Sequence, residues 1–160
     1  MVRLLVVCLT LAFATIGAEA EAACREDRIE LRGDWGTARF RIAVADTVPE
    51  RAQGLMNVEE MPRMVGMLFV YDRPQRVSFW MENTLIPLDM VFIGADGVVR
   101  HVHENAIPMD RTPIFGGSND IQYVLEINGG LSSEFGIAPG TEVRHPSIEE
   151  DQASWPCEAE

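Results

Sequence analysis

The residues of this chain best suited to chemistry lie in one stretch, Trp80-Met81-Glu82-Asn83-Thr84 followed by Pro87-Leu88-Asp89. A tryptophan and several short polar groups sit there in a strongly apolar context, and polar groups so placed must find partners. Two readings are open. In one, Asn83 and Thr84 hold a tight loop through side-chain to backbone bonds, Asp89 caps a neighbouring amide and Trp80 fills core volume. In the other, Trp80 offers a flat apolar face in a small concave site where Asn83, Thr84, Asp89 and Glu126 orient a polar ligand such as a sugar. Glu126 falls inside the apolar run Val124-Leu125-Glu126-Ile127, and strand alternation sends it to the face opposite Leu125 and Ile127. It must be half exposed or paired, and Arg51 is the partner we expect, through a bidentate bond that lets both lie partly buried. Asp89 and Glu126 could instead be the acid and base of a carbohydrate-active enzyme, which demands a particular separation of the two carboxyls.

Other constellations are weaker. His101 and His103 lie two apart on a strand and share a face, with Glu104 next and His145 as a conceivable third metal ligand, but the helical H-E-x-x-H pattern is absent. Met56, Met61, Met64 and Met67 are dense enough to suggest thioether binding of a soft metal, against the plainer reading of gap-filling core methionines. No serine sits in G-x-S-x-G, and the glycine pairs fit neither G-x-G-x-x-G nor the Walker A pattern. We therefore expect no cofactor and no metal, assign no catalytic residue, and lean towards a binding or interaction module over an enzyme.

The elements that must position these residues read as short strands. Ile29 to Leu31 and Ala38 to Ala45 flank the turn-prone Gly33-Asp34-Trp35-Gly36, and Phe40, Ile42 and Val44 alternate with Arg39, Arg41 and Ala43, which predicts a hairpin. Thr47 and Glu50 form a T-x-x-E capping box with Pro49 in the tolerant first turn, so a short helix should run through Arg51 to Gln53 and stop at Gly54. Strands are predicted at Met67–Tyr71, Val77–Met81, Asp89–Ile93, Val98–His103 and Gln122–Ile127, then a helical turn at Leu131–Phe135 and a last strand at Thr141–Arg144. No strand and helix alternate at βαβ length, so a doubly wound fold is not expected. The fold class is mainly β: one domain, a β-sandwich or partly closed barrel with one or two short helices.

Four ordered segments carry a resemblance: RFRIAVADTVPERAQGLM from Arg39, GMLFVY from Gly66, FWMENTLIPLDMVFI from Phe79 and YVLEINGG from Tyr123. Together they resemble the DUF192 (UPF0127) family over about Phe40 to Val143. The resemblance implies a small β-rich domain, usually exported or envelope-associated, in a family with no established biochemical activity.

The ends of the chain bear on compartment. Arg3, an almost unbroken apolar run from Leu4 to Ile16, and Ala18-Glu19-Ala20 before Glu21 give the order of a secretory signal over residues 1–20. The run is too short to span a membrane, which takes about 20 residues. Glu21 stands where a lipoprotein signal wants an apolar residue, which weighs against lipidation at Cys24. Cys8 lies within the signal, so cleavage leaves Cys24 and Cys157, and a pair in an oxidising compartment reads as a disulfide. We expect a domain over 24–145, an acidic tail over 146–160, and a periplasmic or secreted location with no membrane span in the mature chain. A formal net charge of −12 with no basic cluster disfavours nucleic acid. The expected partner is an unidentified small polar ligand or an envelope protein.

Overall fold

A computed structural model of the chain describes residues 24–157; the expected signal segment lies outside the described residues. Nine strands and two short helices follow one another there as β1 (Arg28–Gly33), β2 (Gly36–Ala45), α1 (Val48–Gln53), β3 (Val65–Gln75), β4 (Ser78–Phe79), β5 (Leu88–Gly94), β6 (Val99–Ala106), β7 (Ile114–Phe115), β8 (Ile121–Asn128), α2 (Leu131–Phe135) and β9 (Glu142–Arg144). Seven of the strands form one sheet in the order β6-β5-β8-β3-β2-β1-β9, while β4 and β7 make a separate two-stranded ribbon. The sheet curls into a partly closed half-barrel. Its outer strands meet at one end, where Val98 bridges Glu142 and Val99 N donates to Thr141 O at 2.9 Å. The mainly β class expected from the sequence is what the chain adopts.

Local signals act as predicted in the first third of the chain. β1 and β2 pair antiparallel from Arg28↔Arg41 to Gly33↔Gly36, so the alternating apolar residues of both face one core. The capping box is complete, Thr47 Oγ1 accepting from Glu50 N at 3.3 Å and Glu50 Oε2 from Thr47 N at 3.1 Å. Gly54 ends α1 at φ 47°, where a Cβ would lie 3.2 Å from the Phe69 ring.

Two expectations are corrected. β2 and β3 pair in parallel, Arg41↔Val65 to Ala45↔Phe69, so β2-α1-β3 is a strand–helix–strand crossover, which the shortness of α1 had hidden. The strand expected over Val77–Met81 shrinks to Ser78–Phe79, paired with Ile114–Phe115 outside the main sheet. Its continuation is lost because Met81 N donates to Asp110 O (2.7 Å) and Thr84 N turns back onto Met81 O (3.1 Å), closing a loop.

The central strands are covered on both faces. Val91, Ile93, Tyr123, Leu125, Ile127 and Leu68 belong to a core shared with α2 and the C-terminal segment. Met90, Phe92, Val124 and Phe69 belong to a second core under Leu55, Val77 and Met81. All seven residues of β5 are accordingly buried. Residues beyond His145 join the first core through Ile148, and the Tyr123 hydroxyl donates to Ser147 O at 2.9 Å. The ends are tied by a Cys24–Cys157 disulfide, Cα atoms 5.4 Å apart. Among the described residues no helix is long and apolar enough to cross a membrane.

Candidate functional site

Glu126 is the most unusual side chain of the second face. Register sets it opposite Met67 on β3 and Met90 on β5, at the middle of the sheet. It is 5% exposed, and burial alone pushes its carboxyl up from 4.5 to about 8. No described residue donates a hydrogen bond to it or pairs with its charge. A carboxyl in such a place keeps its proton near neutrality and presents one donor and one acceptor.

Above it lies a cleft of about 440 Å³. α1 and the Gly54 turn form one wall, the Ser78–Trp80 segment and Thr84 another, and Phe69, Tyr71 and Glu126 the floor. The aromatic wall is fixed by packing: the Phe79 ring meets Phe69 edge-on at 5.0 Å and Phe92 at 6.0 Å. Trp80, 52% exposed, stands at the rim.

Arg51 lines the cleft but does not pair with Glu126, which corrects the expected ion pair. β2 turns away after Ala45↔Phe69, the last rung of its ladder with β3, and the guanidinium fills the position just beyond. Its Nη1 donates to Val70 O at 2.8 Å and to Asp46 O, and its carbon lies 5.1 Å from the centre of the Tyr71 ring. Burial raises the Tyr71 phenol, with Arg51 pulling it down and Glu126 pushing it up, whereas burial is what acts on the Glu126 carboxyl itself.

Asp89 belongs elsewhere. It alternates with Met90, so it points to the face opposite Glu126, and it is wholly buried. Its carboxylate accepts from Asn105 N (2.8 Å), Gly130 N (2.8 Å) and Ser132 N (2.7 Å), tying β6 and the start of α2 to β5. The carboxylate pair required for a glycosidase therefore shares no cleft, and Asp89 has the capping role that the sequence left open. Asn83 is exposed in the left-handed region at φ 55°, its amide against Met56 Sδ at 3.9 Å and its carbonyl accepting from Asn57 N at 2.8 Å. Of the six residues expected to surround a ligand, the cleft gathers Arg51, Trp80, Thr84 and Glu126. Thr84 Oγ1 reaches Glu82 O at 3.4 Å.

Sequence reasoning passed over Tyr71, Phe69 and Phe79 as cleft residues. Period two placed Phe69 and Tyr71 on one face of β3, but only the register with β8 places that face beside Glu126. The histidines do not converge: His101 stacks on Phe92 at 5.8 Å, whereas His145 is buried with Nε2 on Glu26 O at 3.1 Å and Nδ1 accepting from Ser147 N at 3.1 Å. The methionines divide as well, Met61 and Met67 packing on one core and Met64 on the other.

Comparison with known proteins gives a family and two structural relatives. A crystal structure of a protein of unknown function from Novosphingobium aromaticivorans DSM 12444 is 41% identical, covering 73% of this chain and 83% of that one, with a TM-score of 0.71. A second, from Sinorhizobium meliloti 1021 and named as a candidate transcription regulator, is 35% identical over 81% of this chain and 100% of that one, with a TM-score of 0.73. No curated protein matches. The model of the DUF192 family, described as an uncharacterised ACR, matches residues 29–145 and so includes the cleft, its buried glutamate and the Asp89 cap. This chain belongs to the DUF192 family.

Proposed function

We propose that this protein is an exported, non-enzymatic binding module that takes a small molecule into the cleft between α1 and the Ser78–Thr84 segment. The observation that carries the reading is the unpartnered Glu126 carboxyl on the cleft floor. The carboxyl reaches the cleft, and a ligand that hydrogen-bonds to it there gains about 0.5–1.5 kcal/mol. Apolar walls with a few convergent polar groups are the usual make-up of a ligand pocket. Export is supported by the disulfide and by the signal-like residues 1–20. A nucleic-acid role, which the name of the Sinorhizobium protein would suggest, is opposed by the net charge of −12.

The test is native mass spectrometry of protein released gently from the periplasm, wild type beside Trp80→Ala and Glu126→Ala. Wild type should carry an added mass that both variants lack. Bare wild-type protein, or an adduct indifferent to both substitutions, would refute the assignment.

An envelope protein as partner is a second reading, favoured by a different observation. Trp80, Leu85, Ile107, Met109 and Phe115 are exposed around two loops joined by Met81 N to Asp110 O and Met109 N to Thr84 O. In-cell cross-linking from position 107 should then capture one defined envelope protein, and an Ile107→Ser, Phe115→Ser chain should lose it; random capture would reject this reading.

A further inference from the structure

We propose that the ligand is a small organic carboxylate with an apolar or aromatic body, its head held between Arg51 and Glu126 and its body against Phe79 and Trp80. This inference rests on the binding reading above and names the chemistry of that site. It follows from which polar groups the cleft offers and in which state. The fixed charge is the Arg51 guanidinium, anchored through Nη1 on two backbone carbonyls and lying over Tyr71. Its Nε and Nη2 make no hydrogen bond with a described residue and are left for a ligand. Arginine held in this way is preorganised for a planar anion. Glu126, holding its proton near neutrality, is a donor rather than a competing anion. The Tyr71 phenol likewise stays protonated, because burial raises it above its ordinary 10.0.

The head-group set is thus a cation and two O–H donors, which calls for an acceptor with negative charge. An ammonium ligand would face Arg51 and would first have to ionise Glu126. A polyol would leave Phe69, Phe79 and Leu55 against hydroxyl groups. The charged and titratable groups that face Glu126 across the cleft are Arg51 from α1 and Tyr71 from β3. Its neighbour on β5 is Met90, and Ser78, Phe79, Trp80, Thr84 and Pro113 complete the surroundings without a charge. A bound carboxylate therefore holds the Glu126 proton more tightly, and binding must weaken as that proton is lost above about pH 8.

The experiment titrates phenylacetate, phenethylamine and 2-phenylethanol, three heads on nearly one body, into isotope-labelled mature protein at pH 6.5 and pH 9, read by amide NMR shifts. Phenylacetate should bind best, shift the amides of 51–56, 69–71 and 78–84, and weaken about tenfold at pH 9. Glu126→Gln, which cannot ionise, should lose that pH dependence, its affinities at pH 6.5 and pH 9 agreeing within about twofold. Arg51→Lys, which keeps the charge but not the fork, should weaken binding at both pH values, and Arg51→Met should abolish it. Shifts in the cleft that favour the amine or the alcohol, or phenylacetate binding indifferent to Arg51, would overturn the carboxylate inference and leave the binding module standing. No cleft shift with any of the three would overturn both.

Discussion

Replacing Glu126 by glutamine should stabilise the protein at neutral pH, by an amount that depends on pH in a way set by burial alone. In the unfolded chain this carboxyl ionises near 4.5, whereas in the folded chain it holds its proton until about pH 8. Between those values the folded state binds more protons than the unfolded one, so stability falls as pH rises, by about 1.4 kcal/mol per pH unit. At pH 4 both states are protonated and there is no deficit. By pH 7 the deficit is about 3 kcal/mol, and above pH 8, where the folded carboxyl also ionises, it levels off near 5 kcal/mol. A glutamine side chain cannot ionise and fits the same space. The assay is urea denaturation of wild type and Glu126→Gln at five pH values from 5 to 9, with the difference in unfolding free energy plotted against pH. The difference should be small at pH 5, grow in favour of the variant through pH 7 and flatten above 8. A difference that stays flat across the range, or a variant less stable than wild type at pH 8, would refute the reasoning, since either result requires a partner for the ionised carboxyl.

Three further outcomes follow from the geometry. Asp89→Ala removes the acceptor of three backbone N–H groups, that of Ser132 buried and those of Asn105 and Gly130 partly so, and should cost about 3 kcal/mol in denaturant unfolding, whereas Asp89→Asn should be only partly conservative because it brings a donor to a cluster of donors. Mature protein unfolded without reductant should show no reactive thiol; reduction should lower the melting temperature by an amount corresponding to as much as about 5 kcal/mol for a loop of this length, and two free thiols before reduction would contradict the Cys24–Cys157 bond. Gly66→Ala should be strongly destabilising by calorimetry, because a Cβ there would lie 2.4 Å from the Glu126 carbonyl oxygen in the β3–β8 pairing, and a melting temperature within a degree or two of wild type would argue against that register.

By itself the sequence determined what short-range chemistry controls. The β1–β2 hairpin follows from alternation around a four-residue turn, α1 from a capping box and a glycine stop, and the Asp96-Gly97 turn from an aspartate whose Oδ1 accepts from Val98 N at 3.0 Å. The unusual character of Glu126 was also legible, since an acid in an apolar strand reads as half exposed or paired. The outcome was neither, because the carboxyl is 5% exposed and unpaired and burial makes it hold its proton. Alternation fixes which side chains of one strand share a face, but the register between strands decides which faces coincide, and pairing partners far apart in sequence set that register. Thus only the tertiary structure separates Asp89 from Glu126 across the sheet, brings Phe69 and Tyr71 beside the glutamate, and makes β2 and β3 parallel over a helix of six residues. Arg51 shows the same limit: the sequence supplied a cation near an acid, but the end of the β2–β3 ladder left a carbonyl that the guanidinium satisfies, and the acid remains facing an open cleft.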